Sequence, residues 1–170
     1  MDVRDIKSLY RSELDAEFKK MGEKGFRSGQ VFDWIHNKKK TSFDEMTNLS
    51  KGLRDKLKDN YDICSMTCAD VLVSKIDGTK KFLLAMKDGN VIETVLMQYD
   101  YGTSLCISSQ VGCRMGCKFC ASTLNGLVRN LTASEMLEEV YCIQRHHNER
   151  IDHIVIMGCG EPMDLSLIHI

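Results

Sequence analysis

The sequence predicts an α/β protein in three parts: an N-terminal helical domain, a small antiparallel β-meander, and the start of an alternating strand–helix structure. Three observations predict it. Apolar residues recur at helical spacing over residues 1–62. Two Asp-Gly pairs, Asp77-Gly78 and Asp88-Gly89, punctuate apolar runs over residues 63–100. A strand pattern, a cysteine-bearing loop, a helix pattern and a second strand pattern then occupy residues 101–164.

In the first part, "SELDAEFKKMGEKGF" sets Leu14, Phe18 and Met21 on one helical face, and Gly22 and Gly25 end the helix. "SGQVFDWIHNKKK" places Val31, Trp34 and Ile35 on one side, with Ser28 as the expected N-cap. Ser42 and Glu45 form a capping-box pattern, and another short helix follows. So small a helical unit leaves little room for a core of its own. In the second part each Asp-Gly pair predicts a tight type I′ hairpin, giving three antiparallel strands. In the third, "TSLCISS" reads as a buried strand. "TASE" at 132–135 is a capping box opening a helix through about His146, and "IDHIVIMG" reads as a second apolar strand of the parallel-sheet kind.

The 170 residues carry a net charge of −1, so nothing global directs the chain to nucleic acid or membrane. The start, "MDVRDIKSLY", has no apolar h-region, and no apolar run reaches the length of a membrane span. A soluble, cytoplasmic, monomeric protein with no membrane partner is expected. Residues 1–60 hold 14 Lys and Arg against 11 Asp and Glu, a local +3, densest in "HNKKKTS". That patch reads either as a solvated helix end or as an RNA contact.

Eight cysteines in a chain without an export signal suggest metal ligands or catalysts rather than disulfides. Cys64, Cys68 and Cys142 read as small buried hydrophobes or idle thiols. The informative stretch is "VGCRMGCKFCAST", where Cys113, Cys117 and Cys120 follow Cys-x3-Cys-x2-Cys spacing. Structural zinc wants four ligands. Three thiolates on a four-iron cluster leave one iron open for substrate or cofactor. Gly112 and Gly116 let the backbone wrap closely. Zinc with a distant fourth ligand, or loop thiols that bind nothing, are the alternatives.

The triad spacing, with Phe119 before its last cysteine, resembles the radical S-adenosylmethionine (SAM) enzymes. The resemblance implies that Cys113, Cys117 and Cys120 bind a [4Fe–4S] cluster. It also implies that SAM chelates the open iron and is cleaved to a radical, on a loop after the first strand of a partial (β/α) barrel. Phe119 joins the expected cofactor-binding residues. "GCGEP" at 158–162 is similar to the family's SAM-contacting motif, which points to Gly160 and Glu161. The stretch from "IETVLMQYD" through "CASTLNGLVRNLTASE", together with "FRSGQVFDWIHNKKKTSFDEMTNLSK", resembles adenine-C2 RNA methyltransferases of the RlmN type, and the likeness runs from about residue 5 to 163.

Residue by residue, that resemblance implies Glu93 as general base and Cys106 as the thiol that resolves a covalent intermediate. On their own, Glu93 reads as a solvated strand charge and Cys106 as a core cysteine. The implied chemistry methylates a second cysteine, makes a radical on that methyl carbon, and adds it to electrophilic adenine C2. Proton loss and thiol attack then release the product. The implied partners are 23S rRNA, tRNA and an electron donor such as flavodoxin.

The family's methylatable cysteine has no counterpart in these residues, and most of the barrel is missing. Residues 165–170 match one reading frame of a transposon-adapter end, so a non-native tail on a truncated, RNA-inactive chain is expected. The alternatives are an adenine-C8 methyltransferase of the sister family and a non-catalytic metal- or RNA-binding module.

Overall fold

In the computed structural model, which describes residues 4–147 and 150–165, a short parallel pairing closes the N-terminal unit. Strand β1 (Arg4–Asp5) lies beside β2 (Tyr61–Asp62), tying the two ends of that unit together. Lys7 is almost fully buried there, and its ammonium donates to the Cys64 carbonyl at 2.6 Å, which keeps the buried charge solvated by backbone. This unit extends to Cys64, and a second begins at Ser65.

Between the two short strands lie three helices, α1 (Arg11–Lys20), α2 (Gly25–Phe32) and α3 (Lys51–Asn60). Helix α1 ends as its glycine predicts, with Gly22 at φ +74. Ser28 is not an N-cap. It lies inside α2, fully buried, and its hydroxyl bonds the Asp15 carboxylate and the Gly25 carbonyl. The helix starts one turn earlier because Gly25 and Phe26 continue the helical backbone that the sequence reading treated as a break. A π-helical turn, Asp33–Asn37, follows; Ile35 is buried and Trp34 half-buried. Ser42 caps only a 3-10 turn, Phe43–Glu45, and Glu45 pairs with Lys40 instead of completing a capping box. Ser50 caps α3 by accepting from the Leu53 amide.

The expectation of little room for a core fails in this unit. Leu14, Phe18, Val31, Ile35 and Leu57 are at most 1% exposed. Phe43, Met46 and Leu49 close the cluster from the irregular segment before α3. That segment shows no helical periodicity, so its contribution to a core does not show in the pattern.

The second unit is built on one five-stranded sheet. Strands β3 (Thr67–Val73), β4 (Lys80–Ala85), β5 (Val91–Tyr99) and β6 (Gly102–Cys106) run antiparallel in that order. Both Asp-Gly turns form, but neither is type I′: Gly78 and Gly89 have positive φ, whereas Asp77 and Asp88 do not. In the second turn Gly89 N–H bonds Met86 O, and Met86 N–H bonds Asn90 O, a turn closed by a left-handed glycine. Along β5 the pleat alternates strictly. Ile92, Thr94 and Leu96 are buried, while Glu93 faces outward.

After β6 the chain forms a small hairpin, β7 (Gln110–Gly112) paired antiparallel with β8 (Leu127–Asn130). Helix α4 (Ala133–His147) follows, opened by the expected reciprocal Thr132–Glu135 capping box. It packs Val140, Cys142 and Ile143 on the buried face of the sheet, against Phe82, Leu84, Ile92, Leu96 and Leu105. Strand β9 (His153–Val155) then pairs parallel with β6, completing the βαβ unit. It is less buried than its apolar sequence suggests, with Ile154 half exposed, because β9 is the edge of the sheet. Among the described residues no helix is long and apolar enough to cross a membrane. Of the expected non-native tail at 165–170, all but Leu165 lies outside the described residues.

Candidate active site

The outward face of the sheet carries the predicted residues. Register pairs Val95 with Cys106 and Leu83 with Glu93, so Glu93, Val95 and Cys106 share the face opposite α4. That face opens into a cleft of about 740 Å³. Its walls include Glu93, Cys106, Cys120 and residues 157–159. One expected base, one expected resolving thiol and one expected cluster ligand therefore border the same space, from segments far apart in sequence. Gly160, Glu161, Phe119, Cys113 and Cys117 lie outside this lining.

Glu93 is exposed, and Lys81 from the adjacent strand holds it at 3.2 Å. Cys106 is half-buried. Burial pushes its thiol pKa up, the Met157 backbone N–H offsets part of that, and the negative charge of Glu139 adds to it. All eight cysteines are free. Cys142 is fully buried as expected; Cys64 and Cys68 are only partly so.

The triad sits on the loop between β7 and β8, and its base is tightly determined. Cys113 N–H bonds Gly126 O at 3.0 Å. Gly112 has φ +73, and a Cβ there would stand 2.0 Å from that same carbonyl, so only glycine fits. The far end of the loop is a run of turns: Cys120 N–H bonds Cys117 O, and the Thr123 hydroxyl contacts the carbonyls of both Cys117 and Cys120. Cys113 is buried, Cys120 half-buried and Cys117 exposed, while Phe119 is 94% exposed at the tip. The three sulfurs share a loop without converging: among the described residues no three His, Cys, Asp or Glu side chains form a ready metal site. The donor chemistry nonetheless fits an iron–sulfur cluster. Residues 113–126 offer three thiols and no carboxylate or imidazole, a soft set that suits iron–sulfur and zinc rather than hard cations. The three thiols number one short of the four ligands of a closed structural zinc site.

Behind these residues runs a buried polar segment; its first two residues, Ser108 and Ser109, end the stretch expected as a buried strand, but β6 stops at Cys106 and their hydrogen bonding does not show in the sequence. Ser108, Ser109 and Gln110 are each at most 1% exposed. Ser108 is a junction: its hydroxyl donates to Glu93 O at 2.8 Å and accepts from Cys159 N–H at 3.0 Å. The Ser109 and Gln110 amides both bond Cys159 O. The Gln110 side chain accepts from Glu161 N–H and donates to Asn130 and Asp164. Asp164 also pairs with Arg114 in the cysteine loop. Gly158 and Gly160 permit this closeness: a Cβ on Gly158 would come within 2.7 Å of Ser108 Oγ, and one on Gly160 within 2.6 Å of Ser109 Oγ. Gly160 takes φ +109, and Glu161 bonds the Met163 amide with its own carboxylate.

One further buried carboxyl went unread. Glu139 is 0% exposed, accepts from Thr94 Oγ1 at 2.5 Å and Ser108 N–H at 3.0 Å through one oxygen, and its other oxygen has no partner. Burial pushes its pKa up to about 8, against the lowering effect of those two hydrogen bonds. In "SEMLEEVY" it reads as an ordinary helix-surface charge; its i+4 relation to the capping Glu135 was the available signal.

In the N-terminal unit the basic patch is partnered locally. Lys38 lies 3.7 Å over the Trp34 ring and pairs with Asp33, and Lys40 pairs with Glu45.

Residues 4–63 match the ribosomal RNA large subunit methyltransferase N-terminal domain. Over 160 residues the chain is 58% identical to a probable dual-specificity RNA methyltransferase RlmN of Lachnoclostridium phytofermentans, covering 94% of this chain and 45% of that protein. A protein of the same name from Lachnospira eligens is 55% identical, with 95% and 46% covered. The crystal structure of a radical SAM methyltransferase from Sphaerobacter thermophilus superposes with TM-score 0.84 at 36% identity, covering 95% of this chain and 48% of that one. The chain spans about half the length of the curated relatives it matches. Over nearly its whole length the chain is thus similar to one part of RlmN-type RNA methyltransferases and of a radical SAM methyltransferase.

Proposed function

We propose that the protein to which these residues belong methylates C2 of adenine in 23S rRNA and tRNA, by radical SAM chemistry on a [4Fe–4S] cluster. The observation that carries this reading is the shared cleft of Glu93, Cys106, Cys120 and residues 157–159. The cluster would be held by Cys113, Cys117 and Cys120, and when bound with SAM it would supply the radical that abstracts hydrogen from a cysteine-borne methyl group, since the base itself resists nucleophilic methylation. Gly160 and Glu161 would hold the SAM amino group, since the bond from Glu161 N–H to Gln110 fixes where that turn stands. Phe119, exposed beside Cys120, would close over the bound cofactor.

The chain's own residues then have distinct tasks. Glu93 removes a proton at the cleft wall, where Lys81 from the adjacent strand pairs with its carboxylate. Cys106 would attack, as a thiolate, the sulfur of the second cysteine that is linked through its methylene carbon to the base; a disulfide forms, the sulfur–carbon bond breaks, and its electron pair takes up a proton to complete the methyl group of the released product. The Met157 N–H favours that thiolate, which burial otherwise opposes. An adenine reaching this cleft has to leave its stack, as other base-modifying enzymes require. An electron donor such as flavodoxin completes the reading. Contact of the 36–40 basic patch with RNA also belongs to it, although Lys38 and Lys40 already have local partners.

Anaerobic reconstitution with iron and sulfide tests the core of this proposal. A brown protein with about four irons, whose reduced EPR signal changes when SAM is added, is expected. A colourless protein that retains stoichiometric zinc would overturn it. Cys113→Ala, Cys117→Ala and Cys120→Ala should each abolish the EPR signal.

A further inference from the structure

The Glu139 carboxyl lies on the buried side of the sheet, and none of the tasks above uses it. Yet one of its oxygens bonds residues that adjoin Glu93 and Cys106 in the chain, from behind the cleft. Thr94, which donates to it, is the neighbour of Glu93 on β5. Ser108, whose amide donates to the same oxygen, is two residues past Cys106. Ser108 also grips the Glu93 carbonyl and the Cys159 amide through its hydroxyl. A single carboxyl thus ties the strand that carries the base to the segment just past the thiol, beyond the end of the β5–β6 ladder. A solvated helix glutamate would make none of these bonds.

We propose, building on the catalytic reading of Glu93 and Cys106, that Glu139 is a positioning residue for this pair and that its protonation state is felt at the Cys106 sulfur.

The surroundings of Glu139 are explicit. From β5 it meets Thr94 and from the segment after β6 it meets Ser108, neither charged. On its own helix the charge it feels is Glu135, one turn earlier, which is itself paired with Arg129. From β6, Cys106 lies on the opposite face of the sheet and is the titratable group there that its charge reaches. Among the described residues no cation offsets a negative charge at this position, and one carboxyl oxygen is left without a partner. At neutral pH the group therefore stays a neutral acid. On ionising it places a negative charge behind Cys106 and disfavours the thiolate there.

The test reads the thiol and does not need RNA methylation. Cys106 alkylation by iodoacetamide is followed against pH in the 170-residue chain and in Glu139→Gln, with mass spectrometry separating Cys106 from the other cysteines. The amide keeps the shape and the accepting oxygen and removes the titration. Below about pH 7 the two proteins should react alike; above about pH 8 Glu139→Gln should react roughly three- to tenfold faster at Cys106. Superimposable profiles across the whole range would overturn the proposal. Should the variant fail to fold, infrared spectroscopy of the wild-type chain decides: a protonated-carboxyl stretch at about pH 6.5, lost as the pH rises past about 8, supports it, and its absence overturns it. A catalytic role for Cys106 is judged separately, by whether Cys106→Ala abolishes RNA methylation, so failure of one idea does not mask failure of the other.

Discussion

Replacing Glu139 by Gln should stabilise the chain in a pH-dependent way. The unfolded carboxyl titrates near 4.5, and the folded one only at about 8. Between those values the folded state keeps a proton that the unfolded state has released, so stability falls as pH rises. The contribution is complete below about pH 4.5 and gone above about pH 8. The difference, 8 − 4.5 = 3.5 units, corresponds to roughly 5 kcal/mol at 1.36 kcal/mol per unit, an upper bound. Gln does not titrate, and its carbonyl can still accept from Thr94 and Ser108. From pH 5.5 to 7.5 the stability of the wild type relative to Glu139→Gln should therefore drop by about 3 kcal/mol. Urea unfolding of both proteins at several pH values measures this, because titrations that do not feel Glu139 cancel in the difference. Parallel stability curves would refute the reasoning, since Glu139 would then be as ionised in the fold as out of it.

Other perturbations follow from the same geometry. Gly112→Ala would drive a methyl group into the Gly126 carbonyl, so the β7–β8 base should open and iron uptake on reconstitution should fall severalfold, read by iron content per chain. Gly158→Ala collides with Ser108 Oγ and Ile107 O and should cost about 1–3 kcal/mol in chemical denaturation. Ser50→Ala removes the cap of α3 and should cost about 1 kcal/mol in the same assay, with little change in Cys106 reactivity. Leu57→Ala, at a fully buried site of the N-terminal unit, should cost about 2–5 kcal/mol; a loss under 1 kcal/mol would mean that this unit has no real core.

What could be read in the sequence was local. The Thr132–Glu135 capping box, the Gly22 helix stop and the left-handed glycines of both meander turns depend on neighbours within five residues, and each formed. The turn type was misread because Asp-Gly favours several turns that differ only in the φ of the aspartate. The β7–β8 pairing that frames the cysteine loop stayed hidden because strands of three and four residues carry too little alternation to register. Ser28 was misjudged for a related reason: a serine near a helix start suits a cap and a buried hydrogen bond to Asp15 equally well. Glu139 was invisible because its meaning lies in Thr94, 45 residues away, and Ser108, 31 away.

The buried run Ser108–Ser109–Gln110 explains why the candidate site can be precise although three of its named residues, Glu93, Cys117 and Phe119, are exposed. Three consecutive polar residues inside a core would be costly if their atoms went unpaired. Here the Ser108 and Gln110 side chains and all three backbone amides are bonded, to Glu93 O, Glu139, Asn130, Asp164 and the turn at 159–161. A satisfied buried network of this kind admits few alternative arrangements. Cys106 stands two residues before it and Cys113 three after, so the thiol and the first cluster ligand inherit its rigidity. Glu93 inherits it through its own carbonyl. The unpartnered Glu139 oxygen is the one loose atom bordering this network among the described residues. A single proton there changes the charge behind the cleft without breaking any other bond, which makes it the sensitive point of an otherwise fixed frame.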